Sequence, residues 1–257
     1  MTIYMQTAAR PVQDLPMTEG ERKARVELAA CYRIFDMLGW VEMIFNHITV
    51  RVPGPELRFL INPFGLHYSE VTASNLVLID IDGNPLRESK WPVNRAGFVI
   101  HSAIHGAIGD AHCVMHTHTT NGVAVSCLEE GLSPHNFYGA MLHGKVAYHE
   151  FEGITVDPGE KVRLLRDLGD KPVMLLRNHG LLAWGPSVPE AFLWLWTLQR
   201  ACDVQITASK AGAIHPVRDE VFPQTVRESG PAEKRTCEDV FAALQRKVDK
   251  LDPSYRN

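Results

Sequence analysis

Two short, β-branched apolar runs flank a turn early in the chain: "HITVRV" at residues 47–52 and "LRFLI" at 57–61, with "PGPE" between them. Strands joined by so few residues pair antiparallel, because a parallel pair needs a crossover of a dozen residues or more. A purely parallel, doubly wound sheet is therefore excluded. A further strand is expected in "LVLIDIDGNPL" (76–86), with a turn at Asp82-Gly83-Asn84. Helical signals interleave with these runs. Thr18-Glu19-Gly20-Glu21 reads as a capping box opening a helix to about Leu38, with Gly39 closing it. In "NRAGFVIHSAIHGAIG" (94–109), Phe98, His101, His105 and Ile108 share one helical face. "HCVMHTH" predicts a strand and "TNGVAVSCLEEG" a helix. "DPGEKVRLLRDLG" (157–169) begins with an Asp cap, a first-turn Pro and Glu160 at the third position. "PVMLLRNHGLLAWG" (172–185) predicts two strands broken at Asn178-His179-Gly180. A second capping box, Ser187 to Glu190, opens a long buried helix over 187–212, and one more amphipathic helix is expected near 236–250. This alternation predicts a layered α/β domain, and the hairpin makes its sheet mixed or largely antiparallel.

Composition limits the function classes. A chain of 257 residues with 45% hydrophobic and 22% charged residues can bury a core without a disulfide or a metal. A metal site in it is expected to serve function. The formal net charge is −4 and no basic block stands out, so neither nucleic acid nor a membrane surface is an expected partner. The apolar runs are too short to span a bilayer, and "MTIYMQTAARPVQDLP" lacks a signal pattern. Five scattered cysteines without a CxxC predict reduced thiols in a cytoplasmic setting, with Cys113 and Cys127 as small buried hydrophobes. The expected organisation is a flexible arm (1–17), one domain (18–212), and a C-terminal tail with one helix (213–257) packing on the domain or a neighbouring subunit. The apolar "WLWTL" stretch of the long helix adds the expectation of a homo-oligomer.

The histidines carry the chemistry. His116 and His118 are two apart in a strand and project from one face, a separation that suits chelation of one ion. One buried and one surface imidazole is the other reading of that spacing. His179, at the break between two apolar strands, supplies a third candidate ligand, and Gly180 beside it allows a sharp turn or a close approach. Three imidazoles leave coordination positions open, the pattern of a catalytic site. Imidazole ligands suit zinc first, with Mn, Fe, Co or Ni also admitted. His101 and His105 are one helical turn apart, a pair that could also chelate, and read more readily as a packed core edge. His67, His135, His143, His149 and His215 have no partner spacing and read as surface or supporting residues.

Taken together, "HITVR" (47–51), "INPFGLHYSEVTASNLVLID" (61–80), "HSAIHGAIGDAHCVMHTHTTNGVAVS" (101–126) and "LLRNHGLLAWGPSVPEAFLWLWTLQRACDVQ" (175–205) resemble the class II aldolase/adducin family, over about residues 22–211. The resemblance implies a three-layer α/β/α fold with a central mixed, mostly antiparallel sheet. It implies tetramers with active sites between subunits. It also implies one divalent ion per chain, usually zinc, held by His116, His118 and His179, which acts as a Lewis acid on a substrate oxygen.

The chain departs from the sugar-phosphate aldolases of that family. Their acid/base glutamate aligns with Gly97, and no carboxylate lies between Asn94 and Ser102. Their phosphate-binding positions align with Asn46-His47, Phe64-Gly65 and Arg95-Ala96, where large or apolar groups replace small donors. Arg95 remains able to pair with a carboxylate, or to stand as a solvated residue at a helix start. The expected function is a metal-dependent lyase, cleaving by an aldol or decarboxylation route, on a small oxygenated, carboxylate-bearing substrate bound near Asn46, His47, Phe64, Gly65 and Arg95. Candidate proton carriers are His101, Tyr138 and His143, with Tyr138 near where the family often supplies a tyrosine from a neighbouring subunit. The alternative is an adducin-like interaction module that retains a metal site without catalysis.

Overall fold

The structure, a computed structural model, describes residues 16–153, 158–229 and 233–257, and not the side chains of residues 95–97 and 158. All but the last two residues of the expected arm, and the expected Asp157 cap, lie outside the described residues. One seven-stranded sheet carries the fold: β1 (Ile48–Arg51), β2 (Arg58–Ile61), β3 (Val77–Asp80), β4 (Cys113–Thr117), β5 (Val146–His149), β6 (Val173–Leu176) and β7 (Gly180–Gly185). Their order is β3-β2-β1-β4-β7-β6-β5. Every pairing is antiparallel except β5 with β6. The expected hairpin is β1–β2, with Val50 opposite Leu60.

Helices cover both faces, because the side chains of each strand alternate. On one face lie α1 (Glu19–Leu38), α6 (Val188–Ala211) and α8 (Lys234–Leu251). Leu28, Phe35, Phe192, Leu195, Phe241 and Val248 there pack with Ile48, Val50, Met115, Leu181 and Ala183 of the sheet. On the other face lie α2 (Arg95–Ala107) and α5 (Pro158–Leu168). Ile104, Leu164 and Leu168 there meet Val114, Met174 and Leu182, while Phe98 meets Phe59 and Ile61. The result is the expected three-layer α/β/α architecture. Burying such apolar side chains on both faces contributes roughly 1.5–3 kcal/mol each.

The caps follow local chemistry with one difference. The Thr18 hydroxyl accepts from the Glu21 amide at 3.1 Å, and Gly39 closes α1 at φ +72°. Glu21 itself turns inward and is 1% exposed. Its carboxylate accepts from Arg25 Nε at 2.8 Å and from Arg87. Arg25 also donates to the carbonyls of Ala73 and Leu76, so the buried charges are paired and saturated.

α3 (Thr120–Ser126) was expected, whereas the short elements α4 (Phe137–Met141), β5 and α7 (Phe222–Glu228) were not. Cys127 is exposed rather than buried, because it sits at the C-terminal cap of α3. Of the two roles expected for His149, surface or supporting, burial removes the first: it is buried, with Nδ1 2.8 Å from the Asp167 carboxylate. Its burial follows from β5, which the sequence pattern does not reveal. Among the described residues, no helix is long and apolar enough to cross a membrane.

Candidate metal centre and active site

β4 is the middle strand, and its C-terminal end builds the site. His116 is the penultimate residue of β4 and His118 follows its end. His179 lies in the tight turn between β6 and β7. That turn closes with the His179 N–H donating to the Leu176 carbonyl at 3.1 Å, while Asn178 takes a left-handed φ of +56°. β7 then pairs with β4, with His116 opposite Leu182 and Thr117 opposite Leu181. Gly180 is required for this close pass. A Cβ there would lie 2.3 Å from the Thr117 carbonyl oxygen, and 3.1 and 3.2 Å from ring carbons of His118 and His116. Of the two roles open to Gly180, close approach is the one it fills, since its φ is not among the left-handed ones.

The three imidazoles converge. Ring centroids are 4.6 Å apart for His116–His118 and 4.8 Å for each pairing with His179. One nitrogen from each lies within 4.8 Å of the others. Burial is the main cause that keeps all three neutral: His116 is held well below the ordinary imidazole value, His118 below it, and His179 is lowered to about 4. Neighbouring imidazoles add to the effect on His116 and His179. Neutral imidazole is the form that ligates. His116 Nδ1–H donates to the Leu181 carbonyl at 2.8 Å, which leaves Nε2 as its free lone pair. That Nε2 stands 2.7 Å from Nε2 of His118. Two lone pairs cannot face each other so closely, so a proton or a cation must be shared there. A divalent ion held by His116, His118 and His179 would satisfy these lone pairs in place of a shared proton. The donor set therefore fits a divalent transition ion with open positions.

A cavity of about 650 Å³ opens over the triad. Phe45, Phe64, Ile100, Val123 and Phe151 form apolar walls, and Asn46, His47, Asn94, His101, Glu160 and Asn178 add polar groups. No Lys or Arg lines it among the described residues. Asn46 carries two marks of a functional position. It holds φ +65°, and its buried amide nitrogen and oxygen meet no hydrogen-bond partner among the described residues. Extending the β1–β4 register by one residue from Ile48–Met115 sets His47 opposite His116.

Of the residues expected from sequence, the cavity gathers His116, His118, His179, His101, Asn46, His47 and Phe64. Gly65 is not in its lining; its α-carbon faces Trp91. The Arg95 side chain lies outside the described residues. Tyr138 sits edge-on to Trp196 at 5.6 Å and beneath Arg200, and His143 stacks on Phe222 at 4.3 Å. Neither lines this cavity within the chain. The sequence reading missed Glu160, which is 6% exposed and lines the cavity from the first turn of α5. Its place in "DPGE" reads as helix-start chemistry, and only the packing of α5 on α2 turns it toward the site. It missed Asn178 as well, whose signal was its place before His-Gly at a strand break.

Comparisons with known proteins agree with this architecture. Residues 26–206 match the model of the class II aldolase and adducin N-terminal domain. The fold superposes on an aldolase II superfamily protein from Pseudomonas syringae with TM-score 0.89 and 43% identity, covering 94% of this chain and 98% of that one. It superposes on an L-fuculose 1-phosphate aldolase from Glaciozyma antarctica with TM-score 0.82 and 29% identity, covering 95% and 97%. Rat α-adducin is 41% identical over 94% of this chain, which spans 36% of that protein. The chain belongs to the class II aldolase and adducin N-terminal domain family.

Proposed function

We propose that this protein is a metal-dependent carbon–carbon lyase acting on a small hydroxylated, carboxylate-bearing substrate without a phosphate. One observation carries the reading: three imidazoles that bring one nitrogen each within 4.8 Å of the others line a cavity of about 650 Å³, large enough for such a molecule. His116, His118 and His179 would hold the ion, with zinc the first candidate and Mn, Fe, Co or Ni also compatible with imidazole ligands. When bound, the ion supplies Lewis-acid stabilisation to a developing oxyanion.

The chain's own residues define the rest. The apolar walls would hold a carbon skeleton, and the Asn46 amide, without a partner among the described residues, would offer a donor and an acceptor to substrate oxygens. No Lys or Arg lines the cavity among the described residues, which disfavours a doubly charged phosphate more than a single carboxylate held by the Asn46, Asn94 and Asn178 amides. His101 and Glu160 face the cavity as buried groups able to carry a proton. Tyr138 and His143 would serve only from a neighbouring subunit, in keeping with a tetramer as the assembly.

The test is zinc reconstitution followed by NMR in D2O with dihydroxyacetone and with unphosphorylated 2-hydroxy acids. One bound ion per chain, with metal-dependent C–H exchange or bond cleavage, supports the lyase. The 41% identity to α-adducin favours the second reading, a non-catalytic interaction module that keeps its metal site. One bound ion with no exchange or cleavage across the panel would select that reading.

A further inference from the structure

Thr49 of β1 touches two histidines of α2 at once. Its Oγ1 lies 2.8 Å from Nδ1 of His101 and 2.7 Å from Nε2 of His105. The other nitrogen of His105, Nδ1, lies 2.8 Å from the Ala111 carbonyl oxygen. Thr49, His101 and His105 are all buried. The direction of every bond in this chain follows from counting protons. A carbonyl only accepts, so His105 Nδ1 carries a hydrogen. Burial keeps His105 neutral, lowered to about 3, so its Nε2 is bare and accepts from the Thr49 hydroxyl. Thr49 has one hydroxyl proton, and it is now committed. The remaining bond must run from His101 Nδ1–H to Thr49 Oγ1. A second ring proton on His101 Nε2 would be buried and unsatisfied among the described residues, so His101 carries its one hydrogen on Nδ1. Its Nε2 is therefore a bare acceptor. That atom is buried and meets no hydrogen-bond partner among the described residues, on a side chain that lines the same cavity as the triad.

We propose that His101 is the proton acceptor of this site, and that Thr49 and His105 are positioning residues that lock it in the single tautomer able to accept. Sequence alone left His101 as a core edge or an unassigned proton carrier; the hydrogen-bonded chain gives it a direction. In a cleavage of the aldol type, Nε2 takes the proton of the substrate hydroxyl. The O–H electron pair becomes the new C=O bond, and the breaking C–C pair passes to an enolate. Nε2 returns the same proton to the enolate carbon, so no other reactant is consumed. As Nε2 gains the proton, the Nδ1–H···Oγ1 bond becomes charge-assisted and strengthens, and the Thr49–His105–Ala111 chain polarises behind it. This assignment rests on the lyase reading for its chemistry, while the tautomer stands apart from it.

The test is ¹⁵N–¹H correlation NMR of the imidazoles, in the zinc-free and zinc-reconstituted protein, with dihydroxyacetone as the probe. The parent should show His101 as the Nδ1–H tautomer, with an Nε2 resonance that moves on adding dihydroxyacetone. Thr49→Val should scramble the tautomer and lower C–H exchange in the zinc protein by about 10²-fold or more, the scale of a displaced general base. Thr49→Ser, which keeps the hydroxyl, should restore both. An Nε2–H tautomer in the parent overturns the proposal, and this needs no variant to fold. So does a Thr49→Val protein with the parental tautomer, or an Nε2 resonance indifferent to saturating dihydroxyacetone. A resonance that moves in a protein without exchange refutes the lyase reading and leaves His101 as the acceptor.

Discussion

Gly180 ties the fold to the site, and its replacement by alanine has an effect whose sign is set by geometry. In an open extended position, Gly→Ala stabilises a protein by about 0.4–1 kcal/mol, because the unfolded chain loses freedom. Gly180 is not in the left-handed region, so its backbone accepts an alanine. Space decides the outcome. The new Cβ would stand 2.3 Å from the Thr117 carbonyl oxygen, which is backbone in the middle strand. Reaching ordinary van der Waals separation takes a displacement of roughly 1 Å. Overpacking of this kind typically costs about 1–3 kcal/mol, so the net effect is a loss of about 1–2 kcal/mol. For a chain of this length that lowers Tm by about 2–8 °C. The same displacement passes to His116 and His118, whose ring carbons the Cβ also approaches, and zinc affinity should fall by about 10-fold or more. Urea unfolding of the zinc-free protein measures the first effect, and zinc competition with a chelator the second. A Gly180→Ala protein that is more stable than the parent, with unchanged zinc affinity, would refute the account of β7 passing β4 at contact distance.

Other perturbations separate structure from chemistry. His179→Ala should leave circular dichroism intact and remove the bound ion, because the core of the domain is closed without it; unfolding in that variant would make the ion structural. Glu160→Gln keeps volume and the ability to cap a helix start, so Tm and zinc content should hold while hydroxyketone exchange falls about 10-fold or more; parental exchange would remove Glu160 from the proton path. No cleavage of fuculose- or rhamnulose-type phosphates is expected from the loaded protein, and a robust rate by coupled assay would overturn the reading of the apolar walls. Glu27, half-buried on α1, is raised to about 6, first by burial and then by Glu238. A raised carboxyl destabilises the folded state above about pH 6, and this penalty vanishes as pH falls toward the unfolded value. Glu27→Gln should therefore gain about 1 kcal/mol at pH 8 and nothing near pH 4.5, as read from urea midpoints; an equal gain at both would exclude the ionisation as its cause.

The parts of this fold that sequence made visible are those whose signals are local. Caps at Thr18, Gly39 and Ser187 mark helix ends that the structure places within a residue or two. The β1–β2 hairpin was legible because the turn and both strands lie within fifteen residues or so. β5 was not, since four residues of mixed exposure have no pattern of their own, and their partner β6 comes after an intervening helix. The site divides in the same way. His116 and His118 declare themselves through the two-residue period of a strand. Glu160 hides within a helix-start motif, and Thr49 hides as a β-branched residue in a strand, where its side chain needs no further reason. Glu21 shows the reverse error: its cap signature is correct for Thr18, yet Arg87 draws its carboxylate into the core.

The register of the two central strands explains why the three candidate ligands and the Thr49–His101–His105 chain lie side by side. β1 and β4 pair so that Thr49 is opposite Val114 and, one step beyond Ile48–Met115, His47 is opposite His116. Residues two apart share a face, so Thr49 and His47 look toward α2, where His101 and His105 meet them one helical turn apart. A one-residue slip of β1 would turn Thr49 toward α1 and break the relay while leaving β4 and the triad in place. The fold therefore holds the imidazoles that could bind an ion on β4 and the β6–β7 turn, and the imidazole that could accept a proton on α2, and joins them through β1. Gly97 fits this arrangement. His101, held by Thr49, and Glu160, entering from α5, both line the cavity, and under the proposed reading they would carry protons in place of a carboxylate at position 97.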